Sequence, residues 1–182
     1  KIAIVNPIWT QILVEANSVI LDQQEMRSLI YSSILNHKNL DSVLAYRLAQ
    51  KFSTSDMSET ILNEIIVNAF ADNRRLLEYA YLDISAVKER DPACSRYLQP
   101  LLYFKGFQAL QAYRISNHLY KNGSYDLAYF FQMRGSEVFG VDIHPKAKLG
   151  KSIMIDHAHS IVIGETAVVG NNVSMLHSVT LG

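Results

Sequence analysis

Apolar residues in the first part of the chain recur with helical spacing. Ile8, Ile12, Ala16, Val19 and Ile20 form one stripe. Asp56 and Glu59 have the spacing of a capping box and open a second stripe through Ile61, Leu62, Ile65, Ile66, Ala69 and Phe70. A third runs from Leu76 to Glu89 through Leu76, Leu77, Ala80, Ile84 and Val87. Pro100 suits the first turn of a long helix bearing Leu101, Phe104, Phe107, Leu110 and Tyr113. Asn122-Gly123 should close that helix, because glycine takes a positive φ without strain. A shorter helix is predicted from Asp126 to Val138. These stripes read as core and subunit-interface faces.

Near Gly140 the pattern changes. Ile143, Leu149, Ile155, Ile161, Ala167, Val173 and Val179 are spaced by six, with small, polar or glycine residues filling most of the intervals. A period of six matches neither a helix nor a simple strand. It marks a parallel β-helix of hexapeptide repeats. Three hexads make a triangular coil, and each residue of the stride should stack inside the prism on its equivalent one coil away. The predicted class is therefore α+β, an all-α segment over 1–139 followed by a β-helix over 140–182. The stride covers only a little over two coils, and repeat folds need about three or more units to bury a continuous core. The chain also begins without methionine and stops partway through a hexad at Gly182, so it is expected to be a piece of a longer protein.

Composition narrows the classes of function. Apolar residues make up 49% and charged residues 19%, an ordinary globular balance. The 17 basic and 17 acidic residues cancel, which gives no reason to expect nucleic acid or an anionic membrane as a partner. No apolar run approaches the length of a membrane span, and the N-terminus lacks the pattern of a signal peptide. A single cysteine, Cys94, fits a reducing cytoplasm and reads as a small apolar filler.

Candidate chemistry lies in three strings: Asp91-Pro92, Val141-Asp142-Ile143-His144-Pro145 and Ile155-Asp156-His157-Ala158. A histidine beside a carboxylate is the minimum apparatus of a general base. The carboxylate holds one ring nitrogen as donor, and the other accepts a proton. Asp142 precedes His157 by nearly one coil, a separation that can bring residues together across neighbouring rungs. Spacing alone leaves other roles open. His157 can be a plain corner residue, and His144, His157 and His159 could together hold a metal. His37 and His118 belong to helical segments, and His177 takes no role.

The run RDPACSRYLQPLLYFKGFQALQAYRISNHLY, followed by VDIHPKAKLGKSIMIDHAHSIVIGETAVVGNNVSMLHSVTLG, resembles the bacterial serine acetyltransferases, and the likeness extends upstream through HKNLDSVLAYRLAQK. The resemblance implies a left-handed β-helix, with an N-terminal helical domain that mediates assembly. It also implies active sites between subunits of a trimer and trimers paired into hexamers. The implied reaction is acetyl transfer from acetyl-CoA to the hydroxyl of L-serine, giving O-acetylserine for cysteine synthesis, with no metal. By the same resemblance His157 is the general base and Asp142 orients it, while Asp91 and Asp156 hold the serine ammonium. An arginine-histidine pair for the serine carboxylate and most coenzyme A contacts are implied beyond Gly182. So is a tail that docks into O-acetylserine sulfhydrylase, and the 182-residue chain alone is expected to be nearly inactive. Two alternatives are a hexapeptide acyltransferase with another acceptor, such as a sugar, and a scaffold that only oligomerises.

Overall fold

The computed structural model describes residues 6–182. Helix α1 (Pro7–Asp22) starts at Asn6, whose side chain accepts from the Ile8 amide, with Pro7 at the first helical position. A 3₁₀ turn (Gln24–Met26) leads into α2 (Arg27–Ile30) and a π turn (Tyr31–Leu35), followed by α3 (Leu40–Phe52). Helix α4 (Glu59–Asp72) is capped by Ser58, not by Asp56. Thr54 accounts for this correction: its Oγ1 accepts from the amides of Asp56 and Met57, so a turn occupies those residues and the helix begins after it. Helix α5 (Arg75–Arg90) follows.

The long helix expected from Pro100 is two helices. Pro100 lies in the first turn of the short α6 (Leu98–Leu102), and the long one is α7 (Lys105–Lys121). Phe104 is extended between them, with φ −98° and ψ 100°. The corner is a tertiary requirement, because it lets Gly106 lie against the backbone of Ile155, where a Cβ would stand 2.0 Å from the carbonyl oxygen. Asn122-Gly123 ends α7 as anticipated, with Gly123 at φ 82°. Helix α8 (Tyr125–Phe139) stops at Gly140, which takes φ 70°. In the core between α3 and α8, Phe52 packs edge to face with Phe131 and at a tilt against Phe139.

Seven short strands follow: β1 (Val141–Ile143), β2 (Lys148–Leu149), β3 (Met154–Ile155), β4 (Ile161–Ile163), β5 (Val168–Val169), β6 (Ser174–Met175) and β7 (Thr180–Leu181). They build a left-handed parallel β-helix with three sheets, β1-β4-β7, β2-β5 and β3-β6. The stacking register departs from the simple stride. Val162 pairs with Thr180, eighteen residues on, but Val141 pairs with Ile161 and Ile143 with Ile163, twenty residues on. The first coil thus holds two extra residues, in the corner after β3. That corner contains His157, Ala158 and Ser160, all with φ between 54° and 58°, a region costly for non-glycine residues. Ile161 and Ile163 are both buried, so either can fill the prism and the stride of six runs through the insertion unbroken.

Helices α5 and α7 cap the free edge of the first coil. The Asn117 amide donates to the carbonyls of Pro145 and Ala147, and the Tyr113 hydroxyl donates to Ala147 at 2.6 Å and accepts from the Leu149 amide. Arg114 donates to Gly150 and Arg90 to Ser152, while Asp83 accepts from the Ile153 amide. Polar groups that would otherwise form an unpaired sheet edge are satisfied by side chains. Asp83 is fully buried and paired in a fork with Arg114 at 2.8 and 3.0 Å, with Gln111 as a further donor. Tyr113 is deeply buried, which pushes its hydroxyl up to about 12.

Candidate active site

The end of α5, the α6–α7 corner and the end of β3 surround a cavity of about 550 Å³. Asp91 enters it from the residue that ends α5, where its backbone N–H still bonds to Val87. Its Oδ1 accepts from the Ala93 amide at 2.8 Å and its carbonyl from Cys94, so the turn at Asp91-Pro92 is locked. Asp156 and His157 enter from the enlarged corner. Asp156 Oδ1 accepts from the His157 amide at 2.7 Å, and its Oδ2 lies 3.4 Å from His157 Nε2. Tyr103, Phe104 and Lys105 make the third wall, over a floor of Val87, Met154 and Ile155. Asp91, distant in sequence, thus shares one space with Asp156 and His157. Two carboxylates on an apolar floor suit a small cation, and the adjacent imidazole suits proton transfer.

Asp142 lies elsewhere. It sits on β1 between the buried Val141 and Ile143 and lines a second cavity of about 310 Å³ with Tyr129, Gln132 and Met133. Its Oδ1 accepts from Gln132 Nε2 at 2.8 Å. Within one chain, therefore, Asp142 and His157 do not share a cavity, and the carboxylate beside His157 is that of Asp156. The three-histidine alternative is not assembled either. His144 packs against Tyr120 and Tyr129, and His159 Nδ1 lies 3.0 Å from Lys105 Nζ. Among the described residues no group of three or more His, Cys, Asp or Glu is placed to hold a metal.

No part in the site was expected of Lys105, Phe104 or His177. The His177 ring lies edge-on to His157 at 5.8 Å, one coil further along. Cys94 is buried with Val87 and Met154 behind the Asp91 turn, and burial raises its thiol above the ordinary value. Asp83 was also missed, although a carboxylate beside Ile84 on an apolar stripe is itself a signal of a buried partner.

Comparison with known proteins agrees with this architecture. The family profile "Serine acetyltransferase, N-terminal" matches residues 8–112. Serine acetyltransferase of Escherichia coli K12 is 46% identical over 175 residues, which cover 96% of this chain and 64% of that protein. The chain thus spans just under two thirds of that relative's length. The Neisseria gonorrhoeae serine acetyltransferase solved in complex with serine superposes with a TM-score of 0.93 at 45% identity, covering 99% of this chain and 75% of the other. The Brucella abortus S19 enzyme solved with coenzyme A gives 0.94 at 41% identity, covering 97% and 70%. No helix among the described residues is long and apolar enough to cross a membrane. The chain belongs to the serine acetyltransferase family.

Proposed function

We propose that the cavity is the serine half-site of an enzyme that moves an acetyl group from acetyl-CoA to the hydroxyl of L-serine. The observation that carries this is the convergence of Asp91, Asp156 and His157 on one cavity. The two aspartates bind the serine ammonium, and His157 removes the hydroxyl proton as the oxygen attacks the thioester carbon. The carbon–sulfur bond then breaks, and the proton passes to the departing coenzyme A thiolate. A serine hydroxyl is a weak nucleophile near neutral pH, and a positioned base contributes about 10²–10⁴-fold in rate.

In this scheme Asp142 meets His157 of an adjacent copy, not its own. The support is its place on the outer face of β1, beside the exposed Val162 of the paired strand. A trimer, or two trimers paired through the helical segment 1–139, satisfies that arrangement. O-Acetylserine sulfhydrylase is the assigned macromolecular partner and the cytoplasm the assigned compartment, both from family likeness. The test is thiol release from acetyl-CoA by the enzyme that carries this chain. Release should require L-serine and fall about 10²–10⁴-fold in His157→Ala. Equal rates with serine and with a sugar acceptor, or an unchanged rate in His157→Ala, would contradict the assignment.

A further inference from the structure

Two adjoining cavities lie where α5, α7 and the first coil of the β-helix meet. One, of about 380 Å³, is lined by Tyr120, Tyr125, Lys146 and Lys148; the other, of about 190 Å³, by Arg75, Tyr79 and Arg114. They share Asn117 and Lys121, so they form one groove, and they share no residue with the cavity that holds His157. The groove is lined by five cationic side chains and no carboxylate, in a chain whose net charge is zero. Two of the five are balanced, Arg114 by Asp83 and Lys146 by Glu165. Arg75, Lys121 and Lys148 have no ion pair among the described residues.

Arg114 makes this a built site as well as a charged surface. It is 4% exposed, and its Nε and Nη2 are held by Asp83 and Gly150, so its position in the wall is set by the core. Tyr120 and Tyr125 are fixed edge to face with ring centres 4.9 Å apart, and Tyr125 is more than half exposed. Three unbalanced cations around one groove repel each other, and an anion of more than one charge relieves that repulsion. The tyrosines add a surface on which an aromatic base can stack.

We propose that this groove binds a phosphorylated nucleotide, its phosphates held by Arg75, Lys121 and Lys148 and its base against Tyr120 and Tyr125. The combined space falls in the range of small-molecule sites, about 300–1,000 Å³. A single nucleotide fits better than a nucleic acid, because a neutral chain supplies no extended field to hold a polymer.

Calorimetric titration of the 182-residue chain with ADP, pyrophosphate and adenosine tests this. ADP should bind saturably, pyrophosphate more weakly and adenosine most weakly. Lys121→Gln/Lys148→Gln should weaken ADP binding about tenfold or more with an unchanged melting temperature, since both lysines are exposed. Asp156→Asn should leave ADP binding as it was, which separates this groove from the acetyl-transfer site. Absence of saturable ADP binding, or its persistence in the double variant, would overturn the proposal. Pyrophosphate binding as tight as ADP would overturn the nucleotide assignment.

Discussion

Replacing Gly106 by alanine tests the contact that joins the helices to the β-helix at the site. An added Cβ would stand 2.0 Å from the Ile155 carbonyl oxygen and 2.9 Å from its carbon. Both are backbone atoms, so no rotamer change relieves the clash. The first turn of α7 would have to retreat by about 1.4 Å to restore ordinary van der Waals contact. Alanine in a helix gains about 1 kcal/mol over glycine, and overpacking of this kind costs about 1–3 kcal/mol, occasionally more. The upper end applies, because rigid backbone is struck, and the net loss should be about 2 kcal/mol. At about 2–4 °C per kcal/mol for a chain of this size, the melting temperature should fall by about 4–8 °C. Gly135→Ala is the control. Its Cβ would meet only the Val141 oxygen at 3.3 Å, so the helical gain offsets the contact and the change stays within about 1 kcal/mol. Trp9, 5% exposed in the helical core, reports unfolding by fluorescence. A Gly106→Ala protein that melts at or above the parent's temperature would rule out this contact as the constraint, and with it the tertiary origin of the α6–α7 corner.

Two further outcomes follow from buried groups. Asp83→Ala should cost about 3–5 kcal/mol in urea unfolding, because it strands Arg114 without its counter-charge, and Arg114→Met added to it should recover part of that loss. For Cys94, burial favours the neutral thiol in the folded state. The raised folded value stabilises the fold below the unfolded thiol's value of about 8.5 and is lost as pH rises through the folded one. Stability should therefore decline above about pH 8.5 less steeply in Cys94→Ala than in the parent, and native Cys94 should react slowly with a thiol reagent at pH 8.

Much of the fold was legible in the sequence because periodicity is a direct imprint of burial. The helical stripes and the stride of six each mark which residues face a core. The break at Tyr103-Phe104 was not legible, since apolar spacing continues across it and its cause, the approach of Gly106 to Ile155, lies in a segment about fifty residues away. The extra pair of residues at His157–Ser160 was hidden for a different reason. Inward positions in this fold occur at both i and i+2, as Ile161 and Ile163 show, so a two-residue shift leaves the apolar pattern intact. Of the site, Asp156 and His157 were visible as neighbours, and Asp91 stood out in its Asp-Pro string but took its role from family likeness alone. The environment of Asp142 could not be read from spacing, because the corner insertion changes which residues face each other and Gln132 comes from a different element. Asp83 and Arg114 were passed over as parts of apolar stripes, although charged residues at core positions signal a buried pair.

On the proposed reading, Asp91 and Asp156 form an ammonium site beside His157. Titration of L-serine into the enzyme that carries this chain, with 3-hydroxypropionate as the acceptor lacking the amine, tests this. L-serine should bind saturably, that binding should be lost in Asp91→Asn/Asp156→Asn, and 3-hydroxypropionate should show no comparable binding. Equal binding of the two compounds, or L-serine binding untouched by the double substitution, would contradict it.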